Sequence, residues 1–278
     1  MIEILRVEGL SKNFTKKGLF QSKSHTVTAA KDVSFSLKHD EILAIAGQSG
    51  SGKSTIAKLI LRAIEPDSGK IFFDGTLVSK NSAGLKKLRM ECQMVYQDPY
   101  DAINPRMKIS DIISEPLEIH NIGNKESRAQ MVLDALKEVK LEPAHDIAKK
   151  YPHMLSGGQR QRVVIARALV VKPKVIIADE PVSMLDVSIR AEILELLTNI
   201  QKQNKIAFIY ITHDLATAKH FADRIIILYQ GKVVETGDVN SVLTDPRHPY
   251  TQALIDAISE PDPKNLYRTK KIVWQNDQ

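Results

Sequence analysis

Apolar and polar positions alternate with a period of two near the start of the chain. Ile2 to Glu8 and Lys31 to Leu37, the latter around Val33, Phe35 and Leu37, predict strands, because successive strand side chains point to opposite faces. Between them Lys16 to Thr28, rich in Lys, Ser and Gln, predicts an exposed loop. Glu41 to Ala46 is apolar without alternation and ends at Gly47, the pattern of a buried strand. Thr55 to Ala63 follows helical spacing, and Asp74-Gly75 between the apolar runs of Lys70 to Val78 predicts a hairpin. From about Leu85 to Lys150 strand signals are sparse. Val132, Ala135, Leu136 and Val139 sit at helical spacing there, which predicts a mostly helical insertion. Lys174 to Ala178, Ile206 to Ile211 and Ile225 to Tyr229 predict further buried strands. Ile189, Ile193, Leu196 and Ile200 mark a helix, and Lys232 to Glu235 a partner strand across the turn at Gln230-Gly231. From about Pro261 to Gln278 the chain is polar, with a basic patch, and predicts a loosely packed tail. Buried strands alternating with helices predict an α/β domain with a mainly parallel sheet, into which a helical subdomain is inserted at about 85–170.

Composition narrows the class. The 278 residues are 43% hydrophobic, enough for a substantial core, and 26% charged, which is ordinary for a globular chain. Cys92 is the one cysteine, so an intrachain disulfide and a four-cysteine metal site are both excluded. No stretch approaches the roughly 20 apolar residues of a membrane helix. Met1-Ile2-Glu3-Ile4 lacks a basic region followed by an apolar segment, so a cytosolic, reducing compartment is expected. The net charge of +6 arises from 39 basic and 33 acidic residues that are well mixed, which reads as a solvated surface and not as a nucleic-acid footprint.

Chemistry enters at Gly47-Gln48-Ser49-Gly50-Ser51-Gly52-Lys53-Ser54-Thr55, which fits G-x-x-x-x-G-K-[ST] between a predicted strand and a predicted helix. The glycines let backbone N–H groups turn inward around a β-phosphate, and the helix presents its unpaired N–H groups to the anion. Lys53 is placed to reach the β- and γ-phosphates, Ser54 to ligate Mg²⁺, and Thr55 to lie on the α-phosphate side. A second element, Val175 to Glu180, is an apolar strand ending in two acids. Asp179 is expected in the Mg²⁺ shell and Glu180 beside the attacking water; a structural ion pair is the alternative for two buried acids.

Leu155-Ser156-Gly157-Gly158-Gln159, followed by Arg160-Gln161-Arg162, stands between these two motifs. Alone it would read as a helix start capped by Ser156. In this order the three motifs closely resemble the ATP-binding cassette family, over about residues 3 to 263. The resemblance implies a phosphate-loop nucleotidase core with a mainly parallel sheet, an antiparallel β subdomain and the inserted helical subdomain. It also implies an ATPase domain over 1–260 and a C-terminal extension over 244–278. Residue by residue, Gln97 matches the glutamine that senses Mg²⁺ and the γ-phosphate, and Ser183-Met184-Leu185-Asp186 matches the loop that communicates across a dimer. His213, in Ile211-Thr212-His213-Asp214, matches the switch histidine, and Phe14 the aromatic that stacks on adenine. The family pairs two cassettes head to tail, each ATP lying between one phosphate loop and the other subunit's Ser156, Gly157, Gly158 and Gln159. Met184 stands where the family commonly has Ala, and Met154 where it often has Glu.

Gln97-Asp98-Pro99-Tyr100-Asp101-Ala102-Ile103-Asn104-Pro105-Arg106-Met107 and Arg247-His248-Pro249-Tyr250-Thr251-Gln252-Ala253-Leu254 resemble the oligopeptide, dipeptide and nickel importer ATPases. That resemblance implies ATP and Mg²⁺ as ligands, two transmembrane permease subunits, a second cassette ATPase and an extracytoplasmic solute-binding protein as partners. It places the chain on the cytoplasmic face of the membrane, coupling hydrolysis to uptake of peptides or nickel chelates. Some members carry a C-terminal cysteine cluster for an iron–sulfur centre; this chain has no cysteine after Cys92, so no such centre is expected. The alternative is a soluble cassette ATPase acting on nucleic acid. Such proteins carry two cassettes or a long coiled coil, and neither pattern occurs in this sequence.

Overall fold

The computed structural model describes residues 3–16, 25–79 and 81–257. The first part comprises β1 (Glu3–Lys16), β2 (His25–Lys38), β3 (Ile42–Ala46), α1 (Lys53–Ile60), β4 (Ser68–Phe73) and β5 (Thr76–Leu77). Next come α2 (Ser82–Glu91), β6 (Cys92–Val95), α3 (Pro99–Ala102), α4 (Ile109–Ile119), α5 (Lys125–Glu138), α6 (Ala144–Lys149) and α7 (Gly157–Leu169). The remainder is β7 (Val175–Asp179), α8 (Val187–Asn204), β8 (Ala207–Thr212), α9 (Leu215–Phe221), β9 (Arg224–Tyr229), β10 (Lys232–Asp238), α10 (Val239–Thr244) and α11 (Pro249–Asp256).

Two sheets organise these elements. The larger runs β10-β9-β3-β8-β7-β6, parallel throughout except for β10, and the smaller is antiparallel in the order β2-β1-β4-β5. The central strands are buried along their whole length, as expected where both faces of a sheet are covered. Their period-two geometry divides the interior into two clusters. Leu43, Ile45, Ile177, Ile209 and Ile211 pack with α1 and the antiparallel sheet. Ala44, Ala46, Ile176, Ala178, Phe208 and Tyr210 pack on the other side, with α7, α8 and the helices between β6 and β7. At the two tight turns, Asp74-Gly75 and Gln230-Gly231, both residues have positive φ (50° and 70°, 46° and 77°), the conformation a two-residue hairpin requires.

Two expectations are corrected. The polar run from Lys16 to Thr28 is strand at both ends: Phe14 pairs with Val27, Thr15 with Thr26 and Lys16 with His25. Thr26, Val27 and Thr28 are exposed, so this ribbon buries neither face and carries no alternation that sequence could display. Residues 17–24 of the expected loop, Ile2 of the first strand and the expected tail after Pro261 lie outside the described residues. The second correction is β6, which falls inside the stretch expected to be helical and forms the edge of the larger sheet against β7. Four residues, one of them Gln93, directly after a helix are too short to show a period.

Cys92 lies on β6 and is 1% exposed, and burial pushes its thiol far above the usual range. Ellman's reagent is expected to label the native chain at a small fraction of the free-thiol rate and to label it fully in denaturant. Labelling of the native chain at the free-thiol rate would contradict this placement.

Candidate functional site

The loop from Gly47 to Gly52 joins the C-terminal end of β3 to the start of α1. Two of its glycines are dictated by close approach. A Cβ on Gly47 would lie 2.2 Å from the Leu228 carbonyl oxygen, and one on Gly52, at φ 106°, 2.1 Å from that of Ala29. Lys53 opens α1, is 5% exposed, and folds back so that Nζ donates to Gly47 O at 2.7 Å and Gln48 O at 3.0 Å. Burial lowers its pKa, opposed by the negative charges of Glu180 and Asp179. Ser51 is buried as well, and its hydroxyl has no hydrogen-bond partner among the described residues.

The ends of β7 and β8 complete the cluster at the carboxyl edge of the sheet, where ligands bind in open α/β folds. Ser54 Oγ donates to Asp179 Oδ1 at 3.1 Å. Glu180 follows β7 with φ 47°, a sparsely populated backbone region for a residue with a side chain. Its N–H donates to Ile211 O at 2.9 Å, fixing it to β8. Its carboxylate accepts from Gln97 Nε2 at 3.2 Å, and His213 Nδ1 stands 3.0 Å from Glu180 Oε1. Gln97, Glu180 and His213, 116 residues apart at the extremes, are therefore one contact group.

A cavity of about 770 Å³ opens over this cluster. Gln48, Ser49, Gly50, Gly52, Lys53, Ser54, Thr55, Gln97, Glu180, His213 and Phe14 all line it. Phe14 is 39% exposed, with its ring at the cavity surface. Asp179 instead lines a neighbouring cavity of about 640 Å³, together with Ser54 and Gln97. Val27, Ala29, Leu254 and Ala257 also line the larger cavity and were not singled out from sequence; only the motif containing Leu254 was a signal.

Ser156, Gly157, Gly158, Gln159 and Asp186 do not line this cavity. Ser156 caps α7: Gln159 N–H donates to Ser156 Oγ at 3.3 Å, and Ser156 N–H donates to Gln159 Oε1 at 3.0 Å. A Cβ on Gly158 would lie 2.7 Å from Ile189 Cγ2, so α7 and α8 touch at that glycine. Asp186 stands at the N-cap of α8 without a side-chain cap bond.

Burial also raises the carboxyl pKa of Asp179, with the Ser54 hydrogen bond opposing. A raised folded-state value means that the ionised form costs folding free energy at neutral pH, and that this cost fades as pH falls through it. Asp179→Asn is expected to raise the melting temperature of the nucleotide-free chain at pH 7 while weakening Mg²⁺-dependent nucleotide affinity. A lower melting temperature would contradict the electrostatic account.

A glycine-rich loop between a buried parallel strand and a helix, with its serine bonded to an acid at the end of a neighbouring strand, defines the phosphate-loop class of nucleotide-binding proteins. Known proteins place the chain more narrowly. Residues 30–183 match the model of the family described as ABC transporter, and residues 234–277 that of the oligopeptide/dipeptide transporter C-terminal region. The chain belongs to the ABC transporter family.

Among its relatives, a probable peptide ABC transporter ATP-binding protein of Sinorhizobium fredii is 44% identical, over 94% of this chain and 74% of the relative. A putative peptide import ATP-binding protein of Brucella ovis is 42% identical, over 99% and 84%. The glutathione import ATP-binding protein GsiA of Salmonella paratyphi A is 42% identical over 99% of this chain, which spans 44% of GsiA. Among solved structures, the post-hydrolysis dimer of the ATP-binding cassette MJ0796 with ADP and Pi superposes with a TM-score of 0.74 at 30% identity, over 84% of this chain and 98% of that one. CbiO1 of Clostridium perfringens, part of the transporter complex cbiONQ, gives 0.75 at 32%, over 87% and 91%.

Proposed function

We propose that the chain is the ATP-hydrolysing subunit of an importer for peptides, acting at the cytoplasmic face of the membrane. The observation that carries the ATPase half is the contact group of Glu180, Gln97 and His213 beside the phosphate loop. Support for the peptide half comes from the relatives named for peptide and glutathione import and from the match to the oligopeptide/dipeptide transporter C-terminal region. The nucleic-acid alternative draws no support from these relatives.

In this reading Lys53 and the free N–H groups at the end of the loop and the start of α1, residues 52–55, hold the β- and γ-phosphates. Phe14 offers its ring to adenine. Ser54, Asp179 and Gln97 supply hard oxygen donors, few in number, which suits a Mg²⁺ ion that keeps several waters. Mg²⁺ bound there supplies charge neutralisation at the phosphate oxygens. Glu180 takes the proton of the attacking water, and Gln97 and His213 hold its carboxylate in place.

The signature residues do not line the cavity of their own chain, which fits a nucleotide completed by a second subunit. Ser156 and the N–H groups of Gly157 and Gly158, at the start of α7, are suited to a γ-phosphate presented by a partner's loop. Triphosphate then joins the two subunits, and cleavage weakens the joint. Two permease subunits, a second cassette and an extracytoplasmic binding protein complete the system. Among the described residues no helix is long and apolar enough to cross a membrane, so the path for solute belongs to the permeases. In proteoliposomes holding the chain with its permeases, second cassette and binding protein, ATP is expected to drive accumulation of labelled di- or oligopeptide. Accumulation of nickel chelates but not peptides would contradict the substrate class, and nucleic acid co-purifying in place of permeases would contradict the transport role.

A further inference from the structure

We propose that α11 is part of the nucleotide site, with Tyr250 as the positioning residue that holds the phosphate loop in its binding shape; this rests on the cavity being a nucleotide site. The backbone N–H of Gln48 donates to Tyr250 Oη at 3.1 Å, a contact across 202 residues of sequence. Tyr250 is 3% exposed, and its ring lies 4.2 Å from that of Tyr229, at the end of β9. The turn that follows Tyr229 also holds the loop, because Gly231 N–H donates to Ser51 O at 2.9 Å.

The position of Tyr250 is itself fixed. Glu235 on β10 accepts from the N–H groups of Arg247 at 2.8 Å and His248 at 3.1 Å. His248 caps α11, its Nδ1 accepting from Tyr250 N–H at 3.1 Å. One turn onward Leu254 reaches the cavity wall, followed by Ala257, beside Phe14 and Val27. Glu235, Tyr250 and Leu254 all fall within the stretch, from residue 234 on, that matches the oligopeptide/dipeptide transporter C-terminal region.

The consequence lies in what Lys53 does. Its ammonium braces the loop from inside by holding the carbonyls of Gly47 and Gln48. With three N–H donors to share between those carbonyls and phosphate, Lys53 cannot brace the loop as fully once it serves phosphate. The bond from Gln48 to Tyr250 and that from Gly231 to Ser51 remain, both from outside the loop. Tyr250 thus keeps the first turn of the loop in place at the moment it takes up charge, and α11 closes the apolar side of the cavity next to the base and ribose.

Tyr250→Phe removes the hydroxyl and keeps the ring against Tyr229. The variant is expected to raise the KM for ATP, and the Kd for a fluorescent ATP analogue with Mg²⁺, about 2- to 10-fold, the range of one hydrogen bond. Its kcat should stay within about twofold, and its melting temperature without nucleotide should fall by no more than the few degrees one hydrogen bond is worth. Tyr229→Phe, which loses only the bond from Gln230, should leave all three unchanged. An unchanged KM in Tyr250→Phe, or an equal rise in Tyr229→Phe, would overturn the inference. Lys53→Ala is measured in the same titration. If it loses affinity while Tyr250→Phe does not, only the role of α11 falls; if Lys53→Ala binds normally, the nucleotide site and this inference fall together.

Discussion

Replacing Glu180 with Gln is expected to slow ATP turnover by about 10²- to 10⁴-fold, the loss typical when a general base is removed. The amide keeps the shape of the side chain and can still contact Gln97 and His213, so the geometry at 3.2 Å and 3.0 Å is largely conserved while proton acceptance is lost. Nucleotide affinity should therefore change little, because the phosphate loop and Lys53 are untouched. Steady-state phosphate release and analogue titration, made on the same preparation, separate the two effects. Turnover near the parent rate would exclude Glu180 as the base.

Lys53→Ala is expected to act on the other half of the cycle. The ammonium is buried, it bonds to two loop carbonyls, and Lys53 lines the cavity. Charge-assisted hydrogen bonds of this kind contribute about 1.5–3 kcal/mol each, so affinity should fall at least about 10-fold. The fold outside the loop should tolerate the change, since the burial that lowers the pKa of Lys53 opposes what its two hydrogen bonds contribute. Titration with a fluorescent ATP analogue reads the affinity and a thermal melt reads the fold. Unchanged affinity would contradict the cradle.

What could be read in advance follows from the range of the interactions involved. β3, β7, β8 and β9 are runs of apolar residues whose burial on both faces leaves a local mark. The phosphate loop and the cap at Ser156 are set by residues within a few positions of one another, so their spacing displays them. Neither β6 nor the outer half of the β1–β2 ribbon had such a mark, the first being four residues long and the second burying neither face. The least legible features are those made by distant chain. That Gly47 and Gly52 are pressed against the carbonyls of Leu228 and Ala29, and that Gln48 is tied to Tyr250, follows only once β3, β9 and α11 are placed together. Sequence named Gln97, Glu180 and His213 one at a time; their meeting in one contact group is a fact of the sheet's carboxyl edge.

The central claim is that triphosphate is enclosed between two subunits, each lending the signature helix that its own cavity lacks. Its most direct measurement is the mass in solution of the Glu180→Gln chain, alone or with its natural partner cassette, by light scattering with and without MgATP. The account predicts dimers that appear with MgATP, persist because hydrolysis is blocked, and are lost when Ser156→Arg places a bulky cation at the start of α7. Monomers at every MgATP concentration, with nucleotide shown to be bound, would contradict it.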